Sequence, residues 1–89
     1  MITRTLTIVN KLGLHARAAA KLVGTTSAFS SSVMISKDGR EVNGKSIMGV
    51  MMLAAGLNSS IEVSIEGSDE AEAMTAVETL VADRFGEDQ

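Results

Sequence analysis

Apolar and polar residues alternate along residues 2–8 and again along 61–66, which is the pattern of strands that bury one face. Between these two segments, residues 33–36 and 40–42 flank Asp38-Gly39, a dipeptide typical of tight hairpin turns. The sequence therefore predicts four strands, of which the middle two form a hairpin.

Apolar residues three or four positions apart predict three helices. The first begins at residue 16 and ends near residue 29, and its apolar face consists of Ala16, Ala19, Ala20 and Val23. The second follows Ser46, which has the residue type of an N-cap. The third spans about 69–84, where Asp69 and Glu72 have the spacing of a capping pair. Its buried stripe consists of Met74, Val77, Leu80 and Val81.

The elements follow the order strand, helix, strand, strand, helix, strand, helix. We therefore expect an α+β fold in which three helices cover one face of a four-stranded antiparallel sheet. The length of 89 residues favours a single domain, residues 1–89. Residues 86–89 are expected to fray, as chain ends commonly do.

The composition, with 45% apolar and 21% charged residues, is that of a globular protein. The absence of cysteine excludes a disulfide framework and a thiolate metal site, and it suits a reducing cytosol. Residues 1–5 lack the apolar core of a signal peptide. The longest apolar stretch, 47–57, is broken by glycines and is too short to span a bilayer. We therefore expect a cytoplasmic protein without membrane insertion.

Charge is distributed unevenly along the chain, although the net charge is only −3. Residues 1–45 hold seven Lys/Arg and two acids, whereas residues 46–89 hold one Arg and nine acids. The pattern fits either a solvated surface with an acidic last helix or a basic face that steers toward acidic partner proteins. Nucleic-acid binding is disfavoured, because the chain is acidic overall and has only two aromatic residues for base stacking.

His15 is the only histidine and stands where a glycine-containing loop enters the first helix. The free backbone N–H groups of Ala16 and Arg17 form an anion site there, and the helix dipole favours negative charge. Arg17 is unfavourable at a helix start unless it binds an anion, and guanidinium suits phosphate oxygens. Because neutral imidazole is a nucleophile, these groups predict a phosphoryl group carried on His15. The plain alternative is a surface or capping histidine.

Other kinds of site fit the sequence poorly. A metal centre lacks ligands, since one histidine and no cysteine are present, and no cofactor is expected. No acid or nucleophile-elbow motif accompanies the histidine, which disfavours a Ser-His-Asp hydrolase. Residues 39–46 match the nucleotide-binding pattern G-x-x-x-x-G-K-S. We reject that match, because residues 40–42 form the second arm of the hairpin and a nucleotide-hydrolysing domain needs a longer chain.

As an N-cap, Ser46 is also a candidate site of regulatory phosphorylation, because a helix N-terminus tolerates phosphate. A phosphate there places about two negative charges beside Ile47, Met48 and Met51. If these residues form a docking patch for a partner, the new charge blocks an acidic partner; otherwise they are simply core residues. We expect most of the helix to be core and one or two of these side chains to be exposed.

The segment from Asn10 to Ala20, NKLGLHARAAA, together with Lys45-Ser46-Ile47-Met48, resembles the HPr family. These are the histidine-containing phosphocarrier proteins of the bacterial phosphoenolpyruvate-dependent phosphotransferase system. The resemblance covers essentially the whole chain. Ala18 departs from it, since most members have proline there, but proline mainly fixes the start of a helix and alanine serves as well.

The resemblance implies an open-faced β-sandwich of four antiparallel strands and three helices. It also implies that enzyme I phosphorylates His15 with the phosphoryl group of phosphoenolpyruvate, that Arg17 assists, and that an enzyme IIA domain receives the group. Ser46 matches the serine that HPr kinase/phosphorylase modifies in many bacteria. The chain is then a carrier and not a stand-alone enzyme, and we expect it to be a monomer.

The sequence leaves the branch and the role open. The sugar-transport branch and its nitrogen-related counterpart, NPr, share the motif, and residues 45–50 lean toward a partly regulatory system. One alternative is a regulatory binding module in which phosphorylation of His15 or Ser46 only changes partner choice. A small nucleotide hydrolase built on residues 39–46 is a third class, and it requires ATP binding by the isolated chain.

Overall fold

The computed structural model of the chain describes residues 1–89 and confirms the predicted order of four strands and three helices. The bounds are β1 (Ile2–Thr7), α1 (Ala16–Thr26), β2 (Ser32–Lys37), β3 (Arg40–Asn43), α2 (Ile47–Met52), β4 (Ser60–Glu66) and α3 (Glu70–Ala82). A short 3-10 turn, Arg84–Gly86, follows α3. None of the helices has the length and apolar character needed to cross a membrane.

The strands form one antiparallel sheet in the order β1-β4-β2-β3. β4 lies inside the sheet, so that Val63 faces Arg4 of β1 on one side and Ile35 of β2 on the other. β2 and β3 form the predicted hairpin, and both residues of its turn, Asp38 and Gly39, have positive φ (52° and 84°). An Asp-Gly turn accepts this conformation at little steric cost, which is why the sequence signal was reliable.

One face of the sheet packs against the helices and forms the core. Along β4, Ile61, Val63 and Ile65 are buried, while the residues between them are exposed or half-buried. The helices contribute the buried residues Ala18, Ala19, Leu22, Val50, Ala73, Met74, Val77 and Val81. The alternation in β4 is the one expected for an antiparallel sheet that is covered on one side.

The inner face of α1 differs from the predicted one. Ala18, Ala19 and Leu22 are buried, whereas Ala16 and Ala20 are exposed, and the helix ends at Thr26 rather than near residue 29. Alanines lie all round this helix and each buries little area, so they carry a weak directional signal. The larger side chain of Leu22 gains more by burial and turns the helix toward the core.

Asp69 does not cap α3 with its side chain, contrary to the prediction. Its carboxylate accepts hydrogen bonds from the backbone N–H groups of Ser30 (2.8 Å) and Ser31 (3.0 Å) and from the Ser31 hydroxyl. The chain comes close enough for this because Gly67 lies against Ser31, where any side chain would collide. Asp69 therefore joins the entrance of α3 to the loop between α1 and β2.

We predict that the contribution of Asp69 to stability depends on pH. The Ser31 hydroxyl, followed by the Ser30 amide, holds the pKa of the Asp69 carboxyl below its ordinary value of about 3.8. A carboxyl with a lower pKa in the folded state stabilises the fold above about pH 4, and the effect is lost as the pH falls through the folded-state pKa. Asp69→Asn should therefore lower the free energy of unfolding near neutral pH, and its difference from wild type should shrink below about pH 4.

Urea denaturation across this pH range measures the effect. Glu72→Gln is the matched control, because Glu72 lies in the same first turn but forms no side-chain hydrogen bond. A loss of stability in Asp69→Asn that is the same at both ends of the range would show that the carboxylate charge is not its cause.

Candidate functional site

The loop that leads into α1 is fixed against the segment that follows α2. Gly13 has a φ of 67°, and a Cβ atom at that position would collide with the backbone oxygen of Ala55. The N–H of Leu14 donates to the same oxygen at 2.8 Å, and the Leu14 side chain is buried. The position of His15 at the end of this loop is thus set by backbone contacts on one side and core packing on the other.

His15 is the N-cap residue of α1, but its side chain forms no capping hydrogen bond. Its carbonyl oxygen accepts the first helical hydrogen bond, from the N–H of Ala19 at 2.8 Å. The N–H groups of Ala16, Arg17 and Ala18 therefore have no acceptor within the helix. Because the first turn also lacks an acidic residue, the positive end of the helix dipole is not neutralised. The free amides on which the predicted anion site depends are present at this helix start.

An open groove beside His15 is lined by the basic residues Lys11, Arg17 and Lys21. Arg17 is exposed and forms neither an ion pair nor a side-chain hydrogen bond within the chain. The ammonium group of Lys21 donates to the carbonyl oxygen of Phe85 at 2.7 Å. Arg17 is therefore available to meet an incoming anion, whereas Lys21 is held in place.

The C-terminal tail, residues 86–89, lines the same groove. The prediction that it frays is wrong. Phe85 is fully buried, and Arg84, Phe85 and Gly86 all have positive φ, so the chain reverses direction after α3. Burial of a phenylalanine stabilises by about 1.5–3 kcal/mol, which offsets much of the left-handed backbone cost of roughly 1–2 kcal/mol at each of Arg84 and Phe85. The N–H of Lys11 then donates to the Gln89 oxygen at 3.0 Å.

This return of the chain places the Glu87 carboxylate against His15, where one oxygen contacts the ring nitrogen Nε2. The other oxygen accepts a hydrogen bond from the side-chain amide of Asn10 at 3.0 Å. Asn10 is fully buried and also donates to the carbonyl oxygen of Gly13 at 2.8 Å. The Asn10 amide, followed by the imidazole of His15, holds the pKa of the Glu87 carboxyl below its ordinary value. Glu87 is therefore an anion at neutral pH.

The sequence predicted His15 and Arg17 as residues of this site, but it did not predict Asn10, Lys21 or Glu87. Glu87 carries no local signal, because its partner lies 72 residues away along the chain. Phe85 is the one residue whose type indicates that the C-terminal tail turns back onto the fold. A large aromatic residue near a chain end is more often buried than left in solvent, and its burial requires the tail to turn back.

Ser46 caps α2 as predicted, because its Oγ accepts a hydrogen bond from the N–H of Gly49 at 3.1 Å. The apolar side chains that follow are more exposed than expected. Only Val50 is buried, because α2 is a six-residue helix that contacts α1 and β3 on its inner side. The exposed residues, which we call the α2 patch, are Ile47, Met48, Met51 and Met52.

The G-x-x-x-x-G-K-S match has no phosphate-wrapping geometry. Residues 40–43 form β3 and pair with β2, and Gly44 packs with its backbone against Val33. The backbone amides of a strand in the sheet are not arranged as a loop around an anion. The rejection of a nucleotide-binding loop therefore agrees with the fold.

Comparison with known proteins identifies the family. A family model described as the PTS HPr component phosphorylation site matches residues 2–83. The chain belongs to the HPr family. Phosphocarrier protein HPr of Xylella fastidiosa (strain Temecula1) is 57% identical over 88 residues, which is 99% of each chain. That of Cupriavidus necator is 56% identical over 87 residues, which is 98% of each chain.

Solved HPr structures share the fold. A crystal structure of HPr-C-His from Thermoanaerobacter tengcongensis covers 100% of both chains with a TM-score of 0.96 and 46% identity. An HPr dimer from the same organism has a TM-score of 0.79 and 47% identity, covering 98% of this chain and 100% of its own. The open sheet with three helices is thus the HPr architecture. Because a dimer is among the similar structures, the expected monomer stays a prediction.

Proposed function

We propose that this HPr-family chain accepts a phosphoryl group on His15 from phosphorylated enzyme I and passes it to an enzyme IIA domain. The observation that carries the proposal is the half-exposed imidazole at a helix start with free amides and an unpaired arginine. The partners follow from membership of the phosphotransferase family. As a single-domain cytoplasmic carrier, the protein holds the group between two encounters and turns over no substrate alone.

The chemistry needs no cofactor. The lone pair of a neutral ring nitrogen of His15 attacks phosphorus, and the bond between phosphorus and the donor atom of enzyme I breaks, leaving its electron pair on that atom. The phosphoryl oxygens then lie beside the N–H groups of Ala16 and Arg17, where a helix N-terminus binds anions. The Arg17 guanidinium adds a charge-assisted hydrogen bond to the same oxygens. Transfer to enzyme IIA is the reverse step, in which a nucleophile of that domain attacks phosphorus and the electron pair of the broken bond returns to the His15 nitrogen.

Docking of partners rests on the α2 patch and the basic groove. The four exposed side chains of the patch form an apolar surface beside α1, and the basic residues of the groove attract acidic partner surfaces. Flexible methionines suit a surface that meets more than one partner. Ser46 at the head of the patch is then the site where HPr kinase/phosphorylase regulates docking.

We predict that His15→Ala abolishes phosphoryl transfer and leaves the fold intact, because the side chain is partly exposed and not part of the core. The measurement is intact mass after incubation with phosphoenolpyruvate and enzyme I, at neutral and at acid pH. Wild type should gain one acid-labile phosphoryl group and lose it to an added enzyme IIA domain. Acid-labile phosphate on His15→Ala would contradict the assignment of the site, and phosphorylation of wild type without onward transfer would favour the regulatory module.

Arg17→Ala is predicted to slow transfer without reducing stability, because the change removes a cation from a helix start. Loss of one electrostatic donor in the transition state typically costs about 2–4 kcal/mol, or roughly thirtyfold to a thousandfold in rate. Stopped-flow or quench-flow transfer from enzyme I measures the rate. Lys11→Ala removes a neighbouring cation from the same groove and is the control for general charge. Equal rates in Arg17→Ala and wild type would show that the helix amides suffice.

Ser46→Asp is predicted to weaken docking to enzyme I, because it places a charge at the edge of the α2 patch and opposes the basic field. Ser46→Asn is the matched control, since asparagine also caps a helix but adds no charge. The affinity for enzyme I is measured at low and high salt. A long-range effect should shrink at high salt, while a local desolvation effect should persist. Equal affinities of the Asp and Asn variants at both salt concentrations would reduce Ser46 to a helix cap.

A further inference from the structure

The two ring nitrogens of His15 have different surroundings. Nε2 contacts the Glu87 carboxylate, whereas Nδ1 forms no hydrogen bond within the chain. An ionised carboxylate can only accept a hydrogen bond, so the neutral imidazole facing it must carry its proton on Nε2. The lone pair is then on Nδ1.

We propose that Glu87 is a positioning residue for phosphoryl transfer, which holds the His15 ring in the tautomer whose nucleophilic nitrogen is Nδ1. The inference rests on the proposed function of His15. It concerns a part of the chain, residues 84–89, that lies beyond the segment matched to the family, residues 2–83.

The charge on Glu87 also serves the transfer step itself. When Nδ1 forms its bond to phosphorus and the donor atom departs with the electron pair of the broken bond, the proton on Nε2 stays where it is. The ring of His15 then has both nitrogens substituted and becomes a cation. A carboxylate in contact with Nε2–H stabilises that positive charge as it develops, and no proton has to move. The ring returns to its neutral state when the phosphoryl group leaves.

The position of Glu87 is built into the fold and does not depend on a mobile chain end. The buried amide of Asn10 holds its second oxygen, and only 16% of the Glu87 side chain is exposed. The fully buried Phe85 anchors the tail two residues earlier, and Lys21 binds the carbonyl oxygen of Phe85. Each of these contacts ties the tail to α1 or to the loop before it.

The test compares three variants of the full chain with wild type. Glu87→Ala removes both the hydrogen-bond acceptors and the charge. Glu87→Gln removes the charge and keeps the shape of the side chain, but its amide has one acceptor oxygen where the carboxylate has two, for Asn10 and His15. Asp83→Asn is the control, because Asp83 is an exposed acid near the same chain end that forms no side-chain hydrogen bond and does not line the groove. The first readout is the imidazole 15N chemical shifts of the unphosphorylated protein at a pH where the ring is neutral. The second is kcat and KM for phosphoryl acceptance from phosphorylated enzyme I.

We expect a single tautomer, protonated on Nε2, in wild type and Asp83→Asn, and a mixture of tautomers in Glu87→Ala. We expect kcat of Glu87→Ala to fall about tenfold to a hundredfold with KM unchanged, which is the range for partners that orient metal-bound imidazoles. The kcat of Glu87→Gln should lie between those of Glu87→Ala and wild type.

A mixed tautomer in wild type, or a kcat for Glu87→Ala equal to that of wild type, would overturn the inference. So would a change confined to KM, because that would make Glu87 a docking residue. If Glu87→Ala fails to fold, the kcat of Glu87→Gln is the deciding measurement, and a value equal to that of wild type would overturn the inference. If enzyme I does not phosphorylate the wild-type protein, the proposed function is wrong. The tautomer measurement needs no phosphoryl group, so it still tests whether Glu87 holds the His15 ring.

Discussion

α1 begins without a capping side chain, and the surrounding structure is arranged to tolerate this. A helix start that lacks a cap loses about 0.5–2 kcal/mol relative to a capped one, and a cation in the first turn adds an unfavourable interaction of about 0.3–1 kcal/mol. Tertiary packing compensates, because Ala18, Ala19 and Leu22 are fully buried against the core. The amide donors that a cap would have used stay free for an anion beside His15.

The proposed carrier role requires His15 to stay next to these free donors. Two separate segments hold His15 in place: the loop fixed by the contact of Leu14 with Ala55, and the tail anchored by Phe85. Asn10 connects the two segments, since it donates to the loop and to Glu87. The fold brings the two unevenly charged parts of the sequence together. Basic residues of the first half line the groove, and the acidic tail lies along one side of it.

Local patterns were sufficient for most of the fold. Strict alternation in β4, the Asp38-Gly39 turn and the Ser46 cap each depend on neighbours within a few residues, so the sequence predicts them well. Features that depend on distant partners were missed. Asp69 has the spacing of a cap, yet its carboxylate is better satisfied by three donors from Ser30 and Ser31, about forty residues away.

The same division applies to the site. His15 and Arg17 are recognisable from the sequence because their meaning comes from one local feature, the start of a helix. The α2 patch was underestimated, because periodicity shows which positions are apolar but not how few neighbours a six-residue helix has. The position of the Glu87 carboxylate depends on the reversal of the chain at residues 84–86, where the backbone is left-handed. Apart from the glycine, the residue types there do not favour that conformation, so the sequence does not predict it.

The proposed roles of Glu87 and of the free amides of α1 require the phosphoryl group to be bound to Nδ1 of His15 and not to Nε2. The most direct measurement is 15N and 31P NMR of the phosphorylated full chain with isotope-labelled histidine, recorded at a pH where phosphohistidine is stable. Coupling between phosphorus and Nδ1, with the proton retained on Nε2, is the result expected if Glu87 and the free amides of α1 act as described. Coupling between phosphorus and Nε2 would contradict the account, because that nitrogen is the one in contact with Glu87.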